Sequence, residues 1–418
     1  MMLQLFNTMT RQKEPFRPKH SRGQRPAKMF SCGPSIYSPP HIGNYRTFMW
    51  EDVLQRYLEY QGYEVKRVIN LTDIEDKAIE EAQERGMSVG TLTGAIAERF
   101  VEEAGRLRIK LPEPMPRSST SVKQAVNLIR KLLDKGCAYE LKGDIFFDPL
   151  KFKGFGKLFR LDMSKWPKNR KRFKRDTYNG RRWNLGDFIL WHRCKKDDKV
   201  CWDTEIGVGR PSWNVQDPAM ISENLGWSVD IFCGGIDNLY RHHDYNIAVM
   251  ESVSGRQLAR LWLHGEHVLV GGKKMSKSLH NIVYPQDLIE HGHTWEQVRF
   301  YLLSRHYRKK LNLSMDAVRA ESLKLNALRA MAQDLTNPRE NCERTSPDEA
   351  ARSLTDDLTS SFESAMNDDL DTPSAVEGLF NKVQRLHMLH KLGRIGKEQR
   401  LVIEEKLRKT DSVLQFVF

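Results

Sequence analysis

Residues 28–71 narrow the fold more than any other stretch. Lys28-Met29-Phe30-Ser31-Cys32 reads as a strand ended by Gly33-Pro34, and a proline-rich turn leads to Pro39-Pro40-His41-Ile42-Gly43-Asn44. Met49, Val53, Leu54, Tyr57 and Leu58 then recur at helical spacing, and residues 64–71 read as a second strand. Strand, turn, helix, strand is a βαβ unit with a right-handed crossover, which commits this region to a parallel sheet. The pattern resumes with a strand at Ser228-Val229-Asp230-Ile231-Phe232, Gly234-Gly235, a helix over residues 246–254 and a strand near residues 266–270.

Between these halves the spacing predicts helices over 76–110 and 121–136, then a hairpin of residues 138–141 and 144–147 turning at Lys142-Gly143. Residues 150–186, rich in Lys, Arg, Gly and Trp, read as a loop-heavy insertion, and residues 1–28 as an opening strand and loop. From about residue 295 the pattern is helical, interrupted by a polar linker with Pro338 and Pro347, and one helix begins after Asp371-Thr372-Pro373. The expected fold is therefore α/β: a Rossmann-type nucleotide-binding parallel sheet with an inserted connective domain, followed by an α-helical bundle. The expected division is 1–110 and 213–300 for the two halves of the sheet domain, 111–212 for the insertion and 301–418 for the helices.

Two short motifs fall at informative places in this frame. Gly43, between strand and helix, lets a nucleotide approach the backbone, and the helix N-terminus behind it offers N–H groups and partial positive charge to phosphates. His41 can donate to charge developing on a phosphate, and Asn44 donates through its amide without carrying charge. The second motif, Lys273-Lys274-Met275-Ser276-Lys277-Ser278, follows a strand in the other half. Its lysines suit a departing pyrophosphate, with Ser276 and Ser278 as donors to the same oxygens. Either motif alone has a bland reading, an ordinary turn or an exposed basic loop; the pair in two halves of one nucleotide fold is far more specific.

Charge and composition bound the partners. Lys plus Arg number 67 against 54 Asp plus Glu, a net +13 that suits a polyanion such as RNA or a nucleotide. No run approaches the roughly 20 apolar residues of a membrane span, and no apolar leader opens the chain, so a cytoplasmic protein is expected. The six cysteines, Cys32, Cys137, Cys194, Cys201, Cys233 and Cys342, are spread without a CxxC pair, which argues against a disulfide framework or a zinc ribbon. The stretch Lys165–Arg175 carries seven basic residues and two aromatics, reading either as a phosphate-binding segment with a stacking ring or as a solvated loop.

These motifs, with Leu5-Phe6-Asn7-Thr8, Lys13-Glu14-Pro15-Phe16, Cys32-Gly33-Pro34-Ser35-Ile36-Tyr37, the run from Asn70 to Lys77, Asp187-Phe188-Ile189-Leu190-Trp191, Gly234-Gly235-Ile236-Asp237, Trp262-Leu263-His264 and residues 367–375, give a resemblance along nearly the whole chain. It resembles class I aminoacyl-tRNA synthetases, and among them the cysteinyl-tRNA synthetases. The resemblance implies ATP and Mg²⁺ as cofactors, an amino acid and tRNA as partners, and an aminoacyl-adenylate as intermediate. It implies ATP binding and adenylate formation by His41, Gly43, Lys274 and Lys277, with Gly235 and Asp237 around the adenosine.

The departures are as informative. The family binds the substrate thiolate through zinc held by two Cys, a His and a Glu. The matching positions here are Cys32, Asp217, His242 and Asn246, so two ligands are kept and two changed. Zinc prefers thiolate and imidazole, accepts carboxylate and takes an amide oxygen poorly. Two readings follow: a weak Cys–Asp–His site, with Cys233 or Asp244 as nearby substitutes, or buried relics hydrogen-bonded to their neighbours. In the second reading the activated amino acid is not cysteine. Asn44 stands where the family has a second His, and the chain stops at Phe418, near where a small anticodon-reading domain typically follows. That end is similar to the related ligases that join an activated amino acid to a small amine. A non-catalytic nucleotide- or RNA-binding paralogue is the third reading, opposed by the intact lysine motif.

Overall fold

The computed structural model describes residues 2–18, 25–165, 186–337 and 348–418. The hairpin β1 (Gln4–Asn7) and β2 (Gln12–Pro15) precedes β3 (Ala27–Ser31), α1 (Ile42–Tyr60) and β4 (Val65–Ile69). Helices α2 (Asp76–Glu84) and α3 (Val89–Arg106) lead to the insertion, α4 (Val122–Asp134) with β5 (Ala138–Leu141), β6 (Asp144–Phe147), β7 (Phe188–Arg193) and β8 (Gly209–Pro211). The chain returns through α5 (Trp213–Asn224), β9 (Val229–Gly235), α6 (Asp244–Ser254) and β10 (Ala259–Gly265). Short strands β11 (Val268–Val270) and β12 (Lys273–Lys274), helices α7 (Pro285–Glu290) and α8 (Trp295–Leu303), and β13 (Leu311–Leu313) precede the helical end, α9 (Met315–Thr336), α10 (Glu349–Asn367), α11 (Thr372–Lys391) and α12 (Lys397–Leu414).

The central sheet is parallel throughout, in the order β10–β9–β3–β4, with Met29 opposite Ile231 and Phe30 opposite both Val68 and Phe232. One half of the chain builds β3 and β4, the other β9 and β10. The strand order therefore switches direction between β3 and β9, and the crevice beyond their C-terminal ends is where such sheets receive ligands. β9 is almost wholly buried, as expected of a strand covered on both faces. The insertion carries its own antiparallel sheet, β5–β6–β7–β8, packed on α4.

Helix α1 is buried nearly all round, wedged between the sheet and the helical end. Its charged residues are correspondingly paired. Glu51 meets Arg67 at 2.9 Å, and Asp52 meets Arg299 at 2.7 Å and Arg56 at 2.9 Å. Arg46 spends its two terminal nitrogens on five backbone carbonyls, those of Glu266, His267, Arg305, His306 and Lys309, at 2.8–3.5 Å. One apolar cluster runs from Leu5 and Met29 through α1 to Leu414 and Val417.

Three sequence expectations need correction. The opening segment is a hairpin rather than a strand and loop. The last strand of the parallel sheet is Ala259–Gly265, whereas Val268–Val270 belongs to the separate sheet β12–β11–β13. Cys194 and Cys201 form a disulfide within the insertion. The basic stretch read at Lys165–Arg175 lies outside the described residues from 166 onward. Among the described residues no helix is long and apolar enough to cross a membrane.

Candidate functional site

The turn from β3 into α1 sets the first arm of the site. His41 is the N-cap of α1, in extended backbone. Its Nδ1 accepts from the Asn44 backbone N–H at 3.2 Å, and the Asn44 side-chain oxygen accepts from the His41 N–H at 3.0 Å. This reciprocal capping box is the role the structure gives Asn44. It also fixes the imidazole: with Nδ1 accepting, Nε2 carries the proton and serves as donor. Burial lowers the His41 pKa below its ordinary value, and Lys274 adds to this.

The second arm is the loop after β12, carried by the small sheet in which Leu269 faces Lys274. The two arms touch. A Cβ on Gly43 would lie 3.0 Å from Met275 Cε and 3.0 Å from His41 Cε1, so the glycine permits an approach no other residue allows without displacement. His41, Gly43, Asn44, Gly235, Asp237 and Lys274 all line one cavity of ≈ 160 Å³ at the switch point. Lys274 Nζ reaches Asp237 Oδ2 at 3.1 Å. Burial raises the Asp237 carboxyl, but the charge and hydrogen bond of Lys274 outweigh it and hold the pKa below its ordinary value. Ser276 and Ser278 pair through their hydroxyls at 3.2 Å. The backbone of Lys277 begins a short helical turn, Lys277–Leu279; its side chain lies outside the described part.

A residue the sequence reading did not single out organises this loop. Asn281 Oδ1 accepts from the Ser276 N–H at 2.9 Å, and its Nδ2 donates to the Lys274 carbonyl at 3.3 Å. Nothing local marks Asn281, because its partners lie five and seven residues back in an irregular loop.

A second cavity, ≈ 420 Å³, shares Cys32, His41, Asn44 and Asp237 with the first and adds Tyr37, Glu75, Trp213 and His242. Two ligands bound in these cavities would therefore meet at His41. Glu75 presents a buried Oε1 with no hydrogen-bond partner, and burial raises its pKa above the ordinary glutamate value. Trp213 stacks on the His242 ring, centroids 5.2 Å apart.

The four positions that match the family's zinc ligands do come together. Asp217 is the hub. Its Oδ1 accepts from Asn70 at 2.8 Å, and its Oδ2 lies 2.8 Å from His242 Nε2, 3.3 Å from Asn246 Nδ2 and 3.7 Å from Cys32 Sγ. Cys32 Sγ is also 3.1 Å from His242 Nε2. Burial first, then the Asp217 charge, raises the Cys32 pKa well above its ordinary value.

The suggested substitutes do not join the cluster. Cys233 is buried in the apolar core, and Asp244 accepts from the backbone N–H groups of Leu158 and Phe159 at 3.0 Å. The ligating atoms of Cys32, His242 and His243 do lie within 4.8 Å of one another. His243 bonds through Nδ1 to His264 at 2.8 Å, and its Nε2 is buried without a hydrogen-bond partner, close under Gly234 of β9. As a zinc set these residues are a poor match in donor type, with a carboxylate and an amide where the family has a thiolate and a carboxylate; Asn246 turns its NH₂ to Asp217 while its Oδ1 is buried without a partner.

A parallel sheet split into two halves, with a histidine arm and a lysine arm meeting over its switch point, defines a class I aminoacyl-tRNA synthetase core. Solved structures share this fold: methionyl-tRNA synthetase of Mycobacterium tuberculosis bound by methionyl-adenylate, at a TM-score of 0.65 and 16% identity over 94% of this chain and 90% of that one. A ternary LeuRS–tRNA–LeuAMS complex from Agrobacterium radiobacter K84 gives 0.66 and 11% over 96% and 85%. Residues 19–322 match the family described as tRNA synthetases class I (C) catalytic domain, and the chain belongs to that family. It is 35% identical over 417 residues to a protein of Chlamydia pneumoniae named cysteine–tRNA ligase, covering 99% of this chain and 86% of that relative. A protein of the same name from Oceanobacillus iheyensis is 32% identical, covering 100% and 84%.

Proposed function

We propose that the chain activates a small amino acid, cysteine or a close relative, with ATP and transfers it to tRNA. The observation that carries this reading is the contact of the two arms, Met275 against Gly43, over a cavity that opens into a second one. ATP in the first cavity places its α-phosphate near His41, where an amino acid in the second presents its carboxylate. A carboxylate oxygen attacks the α-phosphorus, the bond to the β-bridging oxygen breaks, and pyrophosphate leaves. His41 Nε2–H donates to charge growing on the phosphate, while Lys274 and Lys277 neutralise the leaving group. Mg²⁺ carried with the nucleotide supplies further neutralisation. Gly235 and Asp237, which line the first cavity, would cradle the nucleoside, and Glu75, which lines the second with an unpartnered Oε1, would receive the α-ammonium.

No side-chain nucleophile is required, because holding two reactants in line supplies much of the rate. A terminal ribose hydroxyl of tRNA then attacks the acyl carbon, AMP departs, and the hydroxyl proton leaves on a phosphate oxygen. The names of the relatives favour tRNA over a small amine as acceptor. The test is ATP–pyrophosphate exchange screened across the amino acids, followed by charging of bulk tRNA. Exchange with one small polar amino acid and acylation of a tRNA subset are expected. Exchange without tRNA acylation, but with capture of a small amine, would overturn the acceptor.

A further inference from the structure

The floor of the second cavity is the Asp217 cluster, and its donor count decides how it works. An ionised carboxylate offers about four lone-pair sites. Asp217 is 1% exposed; its Oδ1 accepts from Asn70, and the His242 ring, Asn246 and Cys32 converge on its Oδ2. A buried carboxylate without such partners would be strongly unfavourable; here both oxygens are engaged. The donor set is also a poor one for a metal. A carboxylate and an amide stand where the family has a thiolate and a carboxylate, and both Asn70 and Asn246 turn their NH₂ groups to Asp217. Zinc here would gain one thiolate where the family's set offers two.

We propose that this pocket selects its amino acid without zinc, with Asp217 at the centre and Cys32 and His242 as the cavity-lining atoms that read a short side chain ending in S–H or O–H. Asp217 sets the His242 tautomer and so leaves Nδ1 of a cavity-lining ring as an acceptor. The Trp213 ring stacked on His242 keeps it in plane. Asp217 is a positioning residue: it does not line the cavity, and it acts through the two residues that do. This rests on the activation reading above and adds the manner of selection. Without a metal–thiolate bond, cysteine and serine should differ by no more than about 100-fold in kcat/KM, the scale on which a pocket separates near-isosteres.

The test uses the full chain purified from zinc-supplemented medium. Metal content by mass spectrometry, Co²⁺ substitution read by thiolate charge-transfer absorption, and exchange rates with cysteine, serine and alanine are measured together. The expected result is no stoichiometric zinc, no cobalt–thiolate band, and exchange unchanged by a chelator. The double variant Asp217→Cys/Asn246→Glu, which restores the family's ligand types, should gain stoichiometric zinc. Asp217→Asn should raise KM for the amino acid while leaving KM for ATP unchanged. Stoichiometric zinc in the unaltered chain, lost in Cys32→Ser together with a cobalt–thiolate band, would overturn the proposal, whether or not the double variant folds. Exchange with no amino acid would instead remove the activation reading, and the zinc content would still decide this one.

Discussion

Gly43→Ala isolates the contact between the two arms. The added methyl meets Met275 Cε and His41 Cε1 at 3.0 Å and His41 Nδ1 at 3.1 Å, each a few tenths of an ångström inside comfortable contact. The Met275 methyl can swing away; the imidazole, held at Nδ1 by the Asn44 N–H while the His41 backbone N–H is held by the Asn44 side chain, has less freedom. Overpacking of this kind costs about 1–3 kcal/mol. Replacing glycine inside a helix returns about 1 kcal/mol of helix propensity. Global stability should therefore change little. Activity should not be spared, because a shift of about 1 Å in a positioning group costs about 100-fold in rate, and a few tenths of an ångström a fraction of that on a logarithmic scale. The assay is pyrophosphate exchange at saturating and limiting ATP, alongside a thermal melt. We expect kcat/KM for ATP to fall about 3- to 10-fold with Tm nearly unchanged. Wild-type exchange in a folded Gly43→Ala protein would refute the claim that the histidine and lysine arms work at this spacing.

Other outcomes follow from the same geometry. Lys277→Ala should lower adenylate formation by orders of magnitude and ATP binding much less, since it acts on the leaving group in the transition state; equal losses in both would contradict that role. Glu75→Gln should raise KM for the amino acid and spare KM for ATP, whereas a change in neither would remove Glu75 from the ammonium position. Asn281→Ala removes two bonds worth about 1 kcal/mol each, so exchange should slow about 10-fold or more with little change in melting. His264 is held down to about pKa 3, by burial first and then by the Arg11 charge. Unfolding lets it take a proton below about pH 6.5, so its contribution to stability falls by about 1.4 kcal/mol per pH unit on acidification from there toward pH 3. Urea melts across pH 6 to 4 should show a shallower acid loss in His264→Gln, and an unchanged slope would exclude the assignment.

The α/β framework was legible because both βαβ halves announce themselves through local pattern: an apolar strand, a glycine turn, an amphipathic helix. Strand β10 escaped because Leu258-Ala259-Arg260-Leu261-Trp262-Leu263-His264 is short and buried on both faces, without the alternation that marks a half-exposed strand. The arms of the site were readable as motifs. What holds them was not, since Asn281, Arg46 and Asn70 act through backbone carbonyls, turns and carboxylates that sequence spacing does not encode. The sequence could set Asp217 among candidate ligands but could not show that it is also an acceptor hub. Asn70 and Asn246, 147 and 29 residues from Asp217, supply the donors that make it one.

Arg46 has a consequence that reaches beyond its own burial. It sits two residues past the capping box, and its guanidinium clamps the chain just after β10 and the loop that feeds β13, which pairs with β11, the strand that in turn carries the lysine arm. The gap between histidine and lysines is thus gauged by a cation that touches neither nucleotide nor amino acid. A lysine there could satisfy at most three of those carbonyls, so the charge-conserving exchange would slacken the joint. Loosening at the 305–309 loop, far from any reacting atom, would then be registered as altered spacing across the triphosphate.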